Sequence, residues 1–257
     1  MILCTGGKSY PLTGSTGDGY RMAEKLGHTV TPLRPSLVPL ECRQDFPREL
    51  TGLSLRNVTL SVYESGGKLI YTELGEMMFT HFGITGPLVL SASAHMRDYS
   101  KGYYALIDLK PALDEKKLDA RILRDFEKYS NRDIINALGD LLPKSMIPVM
   151  IDVAGIPPET KVHSITRAQR MSLLENIKNL RLDITGPRPI DEAIVTAGGV
   201  DVKEVDPKTM ESKLVPGLLF AGEILDLDAY TGGYNLQITW STAYAAANSE
   251  VWYEQKD

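Results

Sequence analysis

Each end of the chain carries a short apolar strand that runs straight into glycine, and this pairing constrains the fold more than any other feature. Ile2-Leu3-Cys4-Thr5-Gly6-Gly7 opens the sequence, and Pro216-Gly217-Leu218-Leu219-Phe220-Ala221-Gly222-Glu223 stands near its other end. Glycine at a strand end lets the backbone approach a neighbour closely, because no Cβ stands in the way. The two strand ends make one site only if they are adjacent, so residues 1–35 and 186–257 are expected to pack as one unit. Residues 36–185 then form an insertion. The opening reads as the tail of a buried strand, where domains rarely begin, so a truncated chain is expected.

Punctuation in the middle agrees with that division. Pro32, Pro35 and Pro39 break any regular element, and Gly186-Pro187-Arg188-Pro189 breaks the chain again. Between them the period changes. Leu53 and Leu55 alternate on one face, while Val58, Leu60 and Val62 alternate in the opposite register, which predicts a bulge at Arg56-Asn57. Gly66-Gly67 is a turn before a returning strand at Leu69 to Thr72, and Tyr103 to Leu109 alternates again. A small barrel or sandwich over 36–110 is expected. Residues 111–185 read as mainly helical. Leu118, Ile122, Leu123 and Phe126 form a stripe behind an Asp114 cap. Asn131 to Gly139 and Ser145 to Ala154 read as short helices. Thr166 to Gln169 is a capping box before a helix that turns Met171, Leu174 and Ile177 inward. Strands are expected at Ala193 to Ala197, Val200 to Val205 and Leu218 to Ala221, and a last helix from Asn235. Ile-Thr-Gly-Pro occurs twice, at 84–87 and 184–187, and reads as two similar turns.

Composition excludes more than it identifies. The chain has 257 residues, 43% hydrophobic and 24% charged, with a formal net charge of −5. No basic stripe or tail is legible, which speaks against nucleic acid as a partner. No apolar run reaches the roughly 18 residues of a membrane span, and a signal peptide is not legible either. Cys4 and Cys42 form no framework, so a reducing cytoplasm is expected. His28, His81, His95 and His163 lack metal-ligand spacing.

Gly6-Gly7-Lys8-Ser9 is not a Walker A loop, because the required earlier glycine is Ile2. Gly14, Gly17 and Gly19 do not have GxGxxG spacing. The informative combination is Thr5-Gly6-Gly7, then Gly222-Glu223, then Gly232-Gly233-Tyr234-Asn235-Leu236 opening a helix. A carboxylate that accepts from hydroxyls, followed by a helix N-terminus with bare N–H groups, suits a flavin. The acid meets the ribityl chain and the helix end stabilises negative charge on the reduced ring. His81, Lys8, Tyr10 and Tyr230 are polar candidates for catalysis, and none is distinguished by its pattern.

Thr16-Gly17-Asp18-Gly19 with Met22-Ala23, and the PGLxxAGE stretch at 216–223, resemble segments of fumarate-reductase-like flavoproteins. Three longer blocks resemble the BaiN-like (YhiN-type) NAD(P)/FAD-dependent oxidoreductases: residues 5–20, 75–87 and 195–237. The resemblance implies an α/β chain, with a Rossmann-like FAD domain interrupted by a barrel-like and helical insertion. FAD would touch Thr5, Gly6, Gly7, Gly222, Glu223, Gly232, Gly233, Tyr234, Asn235 and Leu236, with NAD(P)H as donor and a small organic molecule as substrate. A conjugated carbon–carbon double bond is the implied target, and a tRNA-modifying flavoprotein is the rival. The family's N-terminal GxGxxG unit is not in this sequence, so weak FAD binding, or a non-catalytic fragment, is also an expectation.

Overall fold

The computed structural model describes residues 1–249. In chain order the elements are β1 (Ile2–Leu3), α1 (Asp18–Lys25), β2 (Arg34–Ser36), β3 (Leu40–Cys42), α2 (Phe46–Glu49), β4 (Ser54–Glu64) and β5 (Leu69–Thr80). Next come β6 (Gly83–Thr85), α3 (Pro87–Ser93), β7 (Tyr103–Asp108), α4 (Glu115–Lys128), α5 (Met146–Val153) and α6 (Arg167–Lys178). The last are β8 (Leu180–Pro187), β9 (Val195–Ala197), β10 (Leu219–Phe220) and α7 (Tyr234–Ala247). The chain divides into two units: Met1–Pro39 with Pro187–Asp257, and Leu40–Gly186.

The Leu40–Gly186 unit is built on a closed barrel with strand order β3-β6-β5-β4-β7-β8. Closure resolves the choice between barrel and sandwich, and it removes the exposed edges of an open sheet. Alternate residues fill the interior: Leu60 and Val62, Met77 and Phe79, Ala105 and Ile107, Leu180 and Leu182 are all buried. The expected bulge is present: the β4–β5 register slips between Leu55 and Val58, and Asn57 has φ 55°. One closing strand, β8, lies largely inside the stretch read as helical.

The repeated Ile-Thr-Gly-Pro proves to be two strand endings. Ile84 and Thr85 lie in β6, Ile184 to Pro187 in β8, and the barrel order places β6 and β8 on either side of β3. Pro87 then opens α3, where its missing N–H has no intrahelical bond to make.

The helices pack as their caps and stripes require. Asp114 accepts from Lys117 N at 2.8 Å, and Thr166 with Gln169 forms the expected capping box. Leu118, Ile122 and Phe126 are buried, but Leu123 is 44% exposed. Likewise Leu173, Leu174 and Ile177 point inward, while Met171, read as inward, is exposed. Both misplaced residues are one position off the stripe's centre, where a 100° step leaves the core. Pro148 sits in the first turn of α5, among N–H groups that have no intrahelical partner, so it does not interrupt the helix. Asn131 to Gly139 holds only a single 3-10 turn, Ile134–Asn136, since Asp133 bridges instead to Lys161.

The other unit draws on both chain ends. β1 pairs in parallel with β10, with Leu3 opposite Phe220, and β2 pairs antiparallel with β9. Its core gathers Leu3, Tyr20, Ala23, Phe220 and Ile224. Val200 to Val205 is not a strand: Val200 makes isolated bridges to Val30 and Leu225, and Val202–Glu204 is a 3-10 turn.

Candidate functional site

The parallel β1–β10 pair delivers Thr5-Gly6-Gly7 and Gly222-Glu223 from adjacent strand ends. Gly7 is packed so tightly that an added Cβ would stand 2.5 Å from both Glu223 Oε1 and Thr196 Oγ1. Only glycine fits there. Its carbonyl accepts from Ser15 Oγ at 2.8 Å, and the next two N–H groups, of Lys8 and Ser9, donate to Thr196 Oγ1 at 2.7 and 3.0 Å. Thr196 is fully buried on β9, and its own N–H donates to Glu223 Oε1 at 2.8 Å.

Glu223 is therefore fixed through one oxygen. Among the described residues, no donor meets the other, Oε2. The Thr16-Gly17-Asp18-Gly19-Tyr20 segment closes the same site. A Cβ on Gly19 would overlap Thr5 Oγ1 and press on Ile224. The Tyr20 hydroxyl donates to the Glu223 carbonyl at 3.3 Å. Burial first, then the Glu223 and Asp226 carboxylates, hold the Tyr20 phenol above its usual range. It stays a neutral donor.

Gly222, at φ 81°, donates its N–H to Thr242 Oγ1 at 2.9 Å and so ties the strand end to α7. Gly233 caps α7 with φ 93° and offers no side chain. The N–H groups of Tyr234, Asn235 and Leu236 thus open the helix without a side-chain cap. The Asn235 side chain is committed elsewhere: it accepts from Ala229 N and donates to Ala229 O and Tyr230 O. It braces the preceding loop, so its side chain is not free for a ligand. Tyr234 and Leu236 are 60% and 57% exposed. Lys8 and Tyr10 lie exposed in the loop after Gly7. His81 belongs to the barrel unit, on the β5–β6 turn.

Two features were invisible in the sequence. Thr196 is one, since nothing marks a threonine as the clamp on an acid 27 positions away. The other is a Ser-His-Glu cluster. His28 Nδ1 lies 3.1 Å from Glu204 Oε2 and Nε2 lies 2.7 Å from Ser212 Oγ. The geometry has the look of a nucleophilic triad, but Ser212 is buried and its oxygen already accepts from Leu214 N and Val215 N. No lone pair is left for attack. The cluster is a brace, joining the end of α1 to the turn at 202–204.

A carboxylate oxygen, glycines that admit close approach and an uncapped helix end together suit a ligand bearing hydroxyls and a chargeable ring. This places the chain in a class: an α/β protein with a strand–glycine site built from both chain ends and an inserted barrel. Residues 34–195 match the family described as HI0933-like protein barrel and H2TH domain. The ribosomal RNA dihydrouridine synthases of Haemophilus influenzae and Escherichia coli are 36% and 32% identical to the chain. The 3-dehydro-bile acid delta(4,6)-reductase of Clostridium scindens is 31% identical. These alignments cover 97–98% of this chain but only 59–61% of the relatives' own length. The chain belongs to the HI0933-like family, the BaiN-like flavoprotein oxidoreductases. No helix among the described residues is long and apolar enough to cross a membrane.

Proposed function

We propose that the chain carries part of a flavin-dependent reductase that saturates a carbon–carbon double bond conjugated to a carbonyl, with NAD(P)H as electron source. The relatives' names support this reading because they describe one bond change. Dihydrouridine is uridine reduced at the ring double bond beside its C4 carbonyl, and a 3-dehydro steroid's delta-4 and delta-6 bonds are conjugated to its ketone. Two of the three names point to uracil in ribosomal RNA, and we take that as the substrate class. The net charge of −5 and the absence of a basic stripe count against this substrate class, and the RNA arm of the test below decides it.

The carrying observation is Glu223, clamped by Thr196 N–H at 2.8 Å with its second oxygen uncommitted. In this reading that oxygen accepts from ribityl hydroxyls of FAD, while Gly6 and Gly7 let the backbone approach. Gly222, Gly232 and Gly233 would shape the approach to α7, whose uncapped N–H groups at Tyr234, Asn235 and Leu236 would hold negative charge on the ring. When bound, FAD supplies the hydride-transfer chemistry. The chain's own part is orientation and charge stabilisation.

The test follows protein-bound flavin anaerobically. After reduction by NAD(P)H, ribosomal RNA lacking dihydrouridine should reoxidise the flavin and gain dihydrouridine. Reoxidation by an unsaturated 3-oxo steroid alone would move the substrate to small molecules. Failure with both would overturn the reading.

A further inference from the structure

The barrel unit carries a cationic cleft that no role above accounts for. It spans about 530 Å³ on the outer face of the barrel, beside the β4 bulge, and Arg56, Asn57, Thr59, Leu74, Lys110 and Leu113 are among its walls. The strand register brings these residues together. Thr59 alternates outward between buried Val58 and Leu60, and it pairs with Leu74 on β5 and with Asp108 on β7. The bulge residues Arg56 and Asn57 and the segment after Asp108 therefore leave the sheet side by side. Both walls are fixed by backbone contacts. Asn57 is held at φ 55° in the bulge, and Leu113 N donates to Lys110 O at 3.0 Å across the turn after β7. The Lys178 ammonium ties that turn down: it donates to Leu113 O at 2.8 Å and to Lys110 O at 3.3 Å, and it pairs with Asp108.

Charge in the cleft is one-sided. Among the described residues, no acid lines it, and neither the Arg56 nor the Lys110 side chain has a hydrogen-bond or ion-pair partner. The neighbouring acids do not supply one. Asp108 is committed to the Lys178 ammonium and, at 2.9 Å, to the Lys110 backbone N–H. Asp114 caps α4 and pairs with Lys117. Glu76, across from the bulge, forms no ion pair among the described residues. Arg56 is exposed, but Lys110 is half-buried, and burial first, then the Arg121 guanidinium, hold its ammonium below the usual range. An anion beside Lys110 would offset both effects. The other character of the cleft is apolar: Leu74, Leu109, Pro111 and Leu113 line it, and Leu74 is 63% exposed.

We propose that this cleft binds an amphiphilic anion, its head between Arg56 and Lys110 and its aliphatic chain along the apolar walls. A small inorganic ion would leave those walls wet, and a neutral chain would leave two cations unmatched. A carboxylate or phosphate on an aliphatic body satisfies both, in a cleft of the size that small ligands use. The site needs neither flavin nor RNA, so it stands or falls independently of the function proposed above.

Octanoate and octyl phosphate would be titrated into the 257-residue protein, with the Leu74 and Leu113 methyl and Lys110 Cε signals followed by NMR. Saturable shifts are expected for at least one of them, with a Kd on the order of 1 mM or tighter, and the tighter of the two names the head. The Lys110 pKa should rise on binding, because the anion favours the charged amine. Acetate, which lacks the chain, and octylamine, which reverses the charge, should each bind at least about 10-fold more weakly. Lys110→Met and Arg56→Met should each weaken the tighter anion at least about 5-fold with Tm unchanged, while Lys110→Arg should retain it. No saturable shift with either anion, octylamine or acetate as tight as the better anion, or indifference to both methionine substitutions would each overturn the proposal.

Discussion

At the scale of single residues, Gly7, Thr196 and Glu223 stand or fall together. Gly7→Ala puts a methyl 2.5 Å from two oxygens, so either the carboxylate or the Thr196 clamp must shift. FAD affinity should drop at least about 10-fold and Tm should fall. Gly66→Ala, in open space, should change neither. Glu223→Ala removes a charge-assisted acceptor worth roughly 1.5–3 kcal/mol, or about one to two powers of ten in FAD Kd. If FAD affinity were normal and only Tm fell, Glu223 would be no more than a brace for Thr196. Glu204 gives a pH test. Burial opposes its ionisation, but hydrogen bonds from Thr29 and His28 outweigh it and hold the carboxyl below its usual range. A carboxyl depressed in the folded state contributes stability fully present above its unfolded pKa and lost as pH falls through the folded value. The Tm gap between the wild type and Glu204→Gln should therefore be widest near neutrality and shrink below about pH 4. A gap that widened in acid would refute the assignment. These residues also mark where sequence reading stops. Gly7 and Glu223 were legible because glycine and an acid at strand ends restrict the backbone and offer charge. The Thr196 contacts to Lys8 and Ser9 and the His28 brace were not, because they depend on positions 176 to 188 apart meeting in space.

Among elements, the legible ones carry their own local physics. The α6 capping box needs only Thr166 and Gln169, three residues apart, so it can be read directly. Thr166→Ala should cost roughly 1 kcal/mol, measured by denaturant midpoint at constant m. At α7 the cap is a glycine at φ 93° with open space around it. Gly233→Val should thus cost roughly 1–2 kcal/mol by backbone strain alone. Its effect on FAD is separable, because a purely structural turn would leave flavin retention in the folded fraction unchanged. The elements misread were those decided by partners. Val200 is held by isolated bridges on both sides, and residues 131–139 are drawn into a bridge to Lys161. No local pattern reports such a competition.

For the whole molecule, the two cores are separate in composition. The barrel and its helices bury residues from Leu40 to Ile184, while the other cluster takes residues from both chain ends. The continuous segment 40–186 should therefore fold when expressed by itself, with dispersed NMR amide signals and a cooperative melt. A molten or aggregated product would show that the barrel needs the rest of the chain.

Read by itself, the sequence carried the expectations that the ends pack together, that the middle is an insertion of strands then helices, and that a carboxylate and a helix end flank glycine turns; the strand β8 inside the helical stretch was missed. Those features arise from periodicity, glycine and proline, which act over a few residues. Tertiary structure alone decided that the barrel closes through β8, that the two Ile-Thr-Gly-Pro segments flank β3, and that Thr196 clamps Glu223. Closure, register and clamping are contacts between distant positions. Their free energy depends on which surfaces meet, and a linear chain does not display it.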